Sequence, residues 1–466
     1  MGLIGILASI ASSALFLTDP VLAAMSDTFE LREVARVPYW TAHHYAFGDA
    51  DHDGHPEFYA LGQNSTDYWV DYILEHRGNW EFDTTQLGWD HAMDWDVGDP
   101  DRDGKSDLLV QVPTLQGHLV CAVESPDPLS LPDSIVWKHY PAWQGHPVHV
   151  RITDLDADSA LEIAECSGSL PEGIQLYENT GDNRYELKTV VRPHGGHFLT
   201  GFAQTHDMDR DGLPELVAPN AMSDDVQFFE AVGDDTLAFK SYLDVPVDHA
   251  YSVIAAPDMD RDGRSEVVVF GVDTDDFGFI GVIESPCDDS FEFVWQQNVE
   301  ASYWADGYGM AVGDVDGDSL PEFAVTTGLN VHLYRCTGND SYEEMWRAYT
   351  NKVPVGLHDL DGDGRCELLY RYSETTVIMQ YGEVSVEELL DRQARSLQVW
   401  PSATRGEPVR VTGMLGAEVE VLDAAGSVVA RPRDGVWNPR GVSPGAYFVR
   451  VRSGSQVAVR KVLVLP

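Results

Sequence analysis

With 466 residues, 43% hydrophobic and 10% aromatic, the chain has the material for a large packed core, which excludes a disordered polymer. Its 77 acids against 30 bases leave a formal net charge of −47, which excludes nucleic acid and anionic membrane surfaces as partners. An excess of that size is either a solvated surface or a set of cation sites whose ions the sequence does not count.

Residues 1–24 read as a signal peptide: Leu3 to Leu17 are apolar, Pro20 breaks the run, and Ala23-Ala24 are small enough for cleavage. No Lys or Arg precedes the run, which leaves the position of the true start codon open. No later stretch reaches the roughly 18 apolar residues of a membrane span. The five cysteines (Cys121, Cys166, Cys287, Cys336, Cys366) form no C-x-x-C pair, which argues against zinc or a thioredoxin-like motif. They read as buried thiols, with room for one bridge.

From residue 49 onward one nine-residue pattern, D-x-D-x-D-x-x-x-[DE], occurs seven times. The copies are Asp49, Asp51, Asp53, Glu57; Asp99, Asp101, Asp103, Asp107; Asp154, Asp156, Asp158, Glu162; and Asp207, Asp209, Asp211, Glu215. They continue with Asp258, Asp260, Asp262, Glu266; Asp314, Asp316, Asp318, Glu322; and Asp359, Asp361, Asp363, Glu367. Starts fall 45 to 56 residues apart. Each copy sits between short β-rich runs, such as Met310-Ala-Val-Gly313 before and Val267-Val-Val-Phe270 after. Two further runs close each unit, such as Ile174-Gln-Leu-Tyr177 and Tyr185-Glu-Leu-Lys-Thr-Val190. Four strands per unit, seven times over, predict an all-β, seven-bladed β-propeller across 25–382. The last unit lacks a fourth strand. Residues 29–37, Phe-Glu-Leu-Arg-Glu-Val-Ala-Arg-Val, match a fourth strand and are expected to complete blade 7, removing an open edge.

Three aspartates at alternate positions of a tight loop converge and repel one another unless a cation stands between them. Hard oxygen donors at that spacing suit Ca²⁺, with position 7 adding a carbonyl and position 9 a further carboxylate. Seven ions would offset 14 of the 28 loop charges, which accounts for much of the acidic excess. An EF-hand needs Glu at position 12 and flanking helices. Position 12 here is Ala60, Val110, Glu165, Ala218, Val269, Val325 and Tyr370, mostly inside apolar runs. Position 6 is Gly in five loops but Ser159 and Ser319 in the third and sixth, where weaker binding or a different turn is expected.

The seven segments resemble FG-GAP/VCBS repeats, the blades of the integrin α-subunit propeller and of many secreted bacterial proteins. The resemblance covers about residues 29–382. It implies up to seven Ca²⁺ in the loops joining first and second strands, on one face of a disc, and implies no particular ligand.

The segments entering each first strand are rich in rings and histidines. Trp40, His43, Trp89, His91, Trp143, His146, His197, His249, Trp304 and Asp306 are ligand-face candidates for stacking on a sugar or holding a peptide. Packing between blades is the plainer reading of the same residues. An enzymatic reading, a polysaccharide lyase or hydrolase, would draw on His43, His44, His91, His146, His197, Asp248, His249 and Asp306. No nucleophile or metalloprotease motif accompanies them.

After Tyr381, residues 383–396 form a helix-like linker around Val386-Glu-Glu-Leu-Leu-Asp-Arg-Gln393. Residues 397–466 alternate as a small immunoglobulin-like β-sandwich. The Trp400-Pro401 entry, the Leu422-Asp-Ala-Ala-Gly426 turn, Pro444-Gly-Ala-Tyr447 and the terminal Lys461-Val-Leu-Val464 resemble the type A C-terminal sorting domain of the type IX secretion system. That resemblance implies export by the type IX machinery to the outer surface of a bacterium. The combined reading is a secreted or cell-surface calcium-binding module for adhesion to glycan or protein ligands. A polysaccharide-active enzyme and a structural surface component are the alternatives.

Overall fold

The protein is represented by a computed structural model. It describes residues 29–466 apart from 42–44, 64–68, 88–91, 93, 115–116, 141–147, 157, 168–172, 197–198, 200, 206, 221–223, 234–235, 303–308, 351–353, 384–397, 401–402, 406–407, 413–417, 433–435, 454–455 and 466. The expected leader and nearly all of the expected linker lie outside the described residues. The chain divides into two compact units, Leu31–Tyr381 and a second that contains the residues from Gly382 onward. Both are all-β, with one three-residue 3₁₀ turn, His194–Gly196, among the described residues.

Seven four-stranded sheets make up the larger unit, in the manner of a β-propeller. In the first sheet the strands are Phe47–Gly48, Glu57–Gln63, Trp69–His76 and Phe82–Gln86, paired in chain order. Sheets two to six repeat that plan between 94 and 139, 148 and 191, 203 and 244, 249 and 300, and 310 and 349. The seventh joins Val355–His358, Glu367–Tyr372 and Thr375–Glu383 to the N-terminal strand Phe29–Val37.

Burial grades across each sheet, and the sequence shows why. The second strand of the fifth sheet, Glu266–Val272, is buried at every position, as its unbroken Val267-Val-Val-Phe270 run requires of a strand covered on both faces. The fourth strand, Ser290–Glu300, alternates half-buried with exposed residues and forms the rim. Between sheets the two buried faces of each strand serve different neighbours. Tyr59 and Ile73 of the first sheet pack on Trp95 and Leu108 of the second. Leu109 and Val120 of the second meet Val150 and Ile163 of the third. Ala164 and Leu176 then meet Leu216 and Phe229 of the fourth. Val217 and Phe228 meet Val267 and Phe279 of the fifth, and Val268 and Phe270 meet Phe323 and Tyr334 of the sixth. Ala324 and Leu333 meet Leu368 and Val377 of the seventh. Leu369 and Ile378 of the seventh return to Phe58 and Leu74 of the first. The order is circular. Each such Val, Leu, Ile or Phe side chain contributes about 1.5–3 kcal/mol by leaving water.

Glycines at the ends of first strands permit this close approach. A Cβ on Gly48 would stand 2.7 Å from Val97 of the next sheet, and one on Gly98 would stand 2.9 Å from Ile152 of the sheet after it.

In the C-terminal unit a three-stranded sheet (Gln398–Trp400, Val409–Thr412, Val436–Trp437) accompanies a five-stranded one. The latter orders Ala403–Thr404, Gln456–Val464, Gly445–Ser453, Glu418–Leu422 and Val428–Ala430. Val409 and Trp437 from the first share a core with Val421, Tyr447, Val449 and Val462 from the second. All five cysteines are free thiols, Cys121 and Cys166 buried and Cys287 exposed.

Candidate metal centre

Every acidic nonapeptide joins the first and second strands of its sheet, and its ninth residue opens the second strand: Glu57, Asp107, Glu162, Glu215, Glu266, Glu322 and Glu367. The loop turns through left-handed backbone at its fourth and sixth positions. The fourth residues His52, Arg102, Arg210 and Arg261 have φ of 54°, 59°, 68° and 65°. Gly54, Gly104, Gly212, Gly263 and Gly364 take φ of 86–104° at the sixth. Ser159 and Ser319 adopt the same conformation, at 77° and 68°.

Three hydrogen bonds recur. The first aspartate accepts the sixth residue's N–H in all seven loops, for example Gly104 to Asp99 at 2.9 Å, Ser159 to Asp154 at 3.3 Å and Ser319 to Asp314 at 2.9 Å. The fifth accepts the seventh's N–H, as from Leu213 to Asp211 at 2.9 Å and Arg264 to Asp262 at 2.8 Å. The ninth residue, where it is Glu, accepts the second's N–H: Ala50 to Glu57 at 2.8 Å, Val315 to Glu322 at 2.7 Å, Leu360 to Glu367 at 2.9 Å. Asp107 is one methylene shorter, and neither of its buried oxygens has a hydrogen-bond partner. These bonds turn the carboxylates inward and fix the loop before any ion is considered.

The inward oxygens crowd together. One oxygen from each of Asp154, Asp156, Asp158 and Glu162 lies within 4.8 Å of all the others. The same holds for Asp49, Asp51 and Asp53, and for Asp99, Asp101 and Asp107. Ligands on opposite sides of a calcium ion stand about 4.8 Å apart, so the spacing suits one hard cation. Several of these oxygens are buried with no partner: one each of Glu57, Glu162, Glu215 and Glu367, and one each of Asp51, Asp207 and Asp258. An ionised oxygen in that state carries a desolvation cost that a proton, a cation or an ordered water donor removes. Burial, followed by repulsion from the loop aspartates, pushes Glu57, Asp107, Glu162, Glu322 and Glu367 up to about 8, and Glu266 to about 9. Backbone N–H bonds to the glutamates partly oppose the rise.

The loop pattern does not reveal the basic groups that attend these acids. Arg77 reaches Asp53 at 3.1 Å and also Glu75. Lys105 reaches Asp103 at 2.6 Å and also Glu124, and Arg365 reaches Asp363 at 3.0 Å. Arg77 and Lys105 bridge from a loop to the third strand of its sheet, a relation visible only once the sheet is built.

Of the ligand-face candidates, Trp40 and His249 are described. Trp40 is buried, with the Arg371 guanidinium 3.2 Å from its ring centroid. His249 is half-buried, its ring 5.8 Å from that of Tyr251. His43, Trp89, His91, Trp143, His146, His197, Trp304 and Asp306 lie outside the described residues.

No family model and no curated protein matches the chain. Among solved structures it is similar to BBS1N, solved in complex with ARL6DN and soaked with lead, at 10% identity and TM-score 0.49, over 76% of this chain and 98% of that one. It is also similar to the periplasmic gluconolactonase PpgL of Pseudomonas aeruginosa, at 14% identity and TM-score 0.47, over 67% and 85%.

Proposed function

We propose that the larger unit is a seven-bladed β-propeller of the FG-GAP/VCBS kind, loaded with Ca²⁺, that serves as a binding or adhesion module outside the cell. The observation that carries this reading is the sevenfold loop: converging aspartates, a fixed hydrogen-bond frame, and buried carboxylate oxygens without partners. Seven sheets with cores running from each to the next, and from the last to the first, support the blade count. Bound Ca²⁺ would supply charge neutralisation and cross-linking of the loop. The first, third, fifth and ninth side chains would hold it, with the seventh carbonyl. The protein's own residues set the turn, aim the carboxylates and keep water from the ninth.

In this proposal the C-terminal unit is an immunoglobulin-like sorting domain that sends the chain through the type IX machinery to the bacterial surface. Its two sheets over a shared Trp437–Tyr447 core support the sandwich reading. No helix among the described residues is long and apolar enough to cross a membrane.

The test is an ion count on the purified chain after dialysis against micromolar Ca²⁺. About seven ions per chain is the expected result, and none would end the reading. A glycan and surface-protein binding screen of the loaded chain, repeated in chelator, then tests the adhesion role.

A further inference from the structure

Outside the nonapeptide, a second set of acids stands against the same loops. The ninth residue pairs across the strands with a third-strand glutamate: Glu57 with Glu75, Asp107 with Glu124, Glu162 with Glu178 and Glu215 with Glu230. In the fifth sheet Glu284 stands one residue beyond the Val267–Ile283 pair, opposite the start of the second strand at Glu266. Like charges directly opposite one another in a sheet are destabilising, and more so when buried. Glu75, Glu124, Glu230 and Glu284 are 5%, 6%, 3% and 1% exposed. The sixth and seventh sheets differ. One residue beyond their Phe323–Tyr334 and Leu368–Met379 pairs stand Arg335 and Gln380.

Two observations give these acids a direction. In the first sheet, oxygens of Asp51, Glu57 and Glu75 lie within 4.8 Å of one another, and those of Asp51 and Glu57 include buried atoms with no partner. In the fourth and fifth sheets a base takes one glutamate oxygen, Lys240 on Glu230 Oε1 at 2.7 Å and Arg264 on Glu284 Oε2 at 3.4 Å. The opposite oxygen, Oε2 of Glu230 and Oε1 of Glu284, is buried without a hydrogen-bond partner. A glutamate present only to anchor its base would not require a second bare oxygen.

We infer that the third-strand glutamates Glu75, Glu230 and Glu284 are further cation ligands, so that in the first, fourth and fifth sheets the ion is gripped by the loop and by the third strand together. In the second sheet both oxygens of Glu124 are taken by Lys105 and Asn183, and in the sixth and seventh the loop alone holds the ion. The inference rests on the calcium reading above. Two classes of site follow, strand-buttressed in those three sheets and loop-only elsewhere, and the extra carboxylate makes the three the tighter class.

Calcium titration of the chelator-stripped full chain, with ions counted at each free concentration, tests this in Glu230→Gln and Glu284→Gln. Each substitution keeps the shape and removes the charge. Each is expected to weaken one of the tight sites about tenfold and to leave the melting temperature in chelator equal or higher. Gln380→Glu is expected to move one weak site into the tight class. A wild-type chain that takes up no Ca²⁺ would sink the parent reading. A wild-type chain that loads normally, with titrations unchanged in all three variants, would overturn the ligand role alone. So would a fall in chelator stability without a change in titration, since that marks Glu230 and Glu284 as anchors for Lys240 and Arg264.

Discussion

The two units handle their acids in opposite ways. In the C-terminal unit the half-buried Glu420, which alternates in its strand with the core residues Val419 and Val421, is matched within the chain: Arg431 donates to one oxygen at 2.9 Å and Arg450 to the other at 3.1 Å. Those bonds hold its carboxyl below the ordinary range. In the seven-sheet unit the ninth-position acids are held above the ordinary range, because burial and neighbouring aspartates outweigh the N–H bonds they receive. One unit closes its electrostatics from its own sequence. The other, on the calcium reading proposed above, is completed by ions from solution.

The largest effect that would break this contrast is loss of cation. A ligand at a hundred times its dissociation constant adds about 2.7 kcal/mol per site when only the folded state binds it. Scanning calorimetry in chelator is therefore expected to lower the melting of the seven-sheet unit by on the order of 10 °C or more, while the C-terminal transition stays put. Equal shifts in both units, or in neither, would remove the distinction.

A smaller effect is expected from one loop. Asp99→Ala removes a carboxylate that accepts the N–H groups of Asp103 and Gly104, at 3.1 and 2.9 Å. It should cost one bound ion and about 2–4 kcal/mol in calcium, read by ion count and denaturant midpoint. In chelator the cost should shrink to that of the two freed N–H groups.

pH offers a third comparison. A carboxyl whose folded-state pKa is raised stabilises the fold fully below its unfolded value, and that stability is lost as pH rises through the folded value. For Glu57, Asp107, Glu162, Glu322 and Glu367 the window runs from the ordinary carboxyl range up to about 8. In chelator the seven-sheet unit should therefore melt lower at pH 8 than at pH 5. Saturating Ca²⁺ should reverse the slope, because the ion competes with the proton. The C-terminal unit should show neither trend.

The smallest effect concerns the two serine loops. Ser159 and Ser319 hold the left-handed turn and bond the first aspartate as the glycines do. Ser159→Gly relieves that strain and should stabilise the loop by under about 1 kcal/mol, without changing the ion count. A lost or gained ion would show that glycine governs binding rather than backbone strain.

The repeat, its loops and the pairing of residues 29–37 with the last sheet were readable in the sequence, because each is written in a short local pattern: a nine-residue motif recurring every 45 to 56 residues, or a strand-like run that matches another blade's fourth strand. The expectation of a different turn at Ser159 and Ser319 did not hold. The hydrogen bond to the first aspartate fixes that turn, and serine tolerates it. What local pattern could not reveal was the third-strand acids and the bases Arg77, Lys105, Lys240 and Arg264. Glu75 lies 18 residues from Glu57 in sequence yet directly opposite it in the sheet, and only strand register brings the two together. The bare oxygens of Asp107 likewise follow from a side-chain length that matters only once the neighbouring N–H is placed.

The strand Phe29–Val37 is the first described segment of the chain, and its hydrogen-bonded neighbour is Thr375–Glu383. Joining them closes a loop of roughly 340 residues, at an entropic cost of about 5 kcal/mol. Until that happens, the last-made sheet keeps a naked edge and Leu31 has no Met379 to rest on. Assembly thus ends by returning to the first described strand, and a chain cut before residue 375 has no strand for it to join.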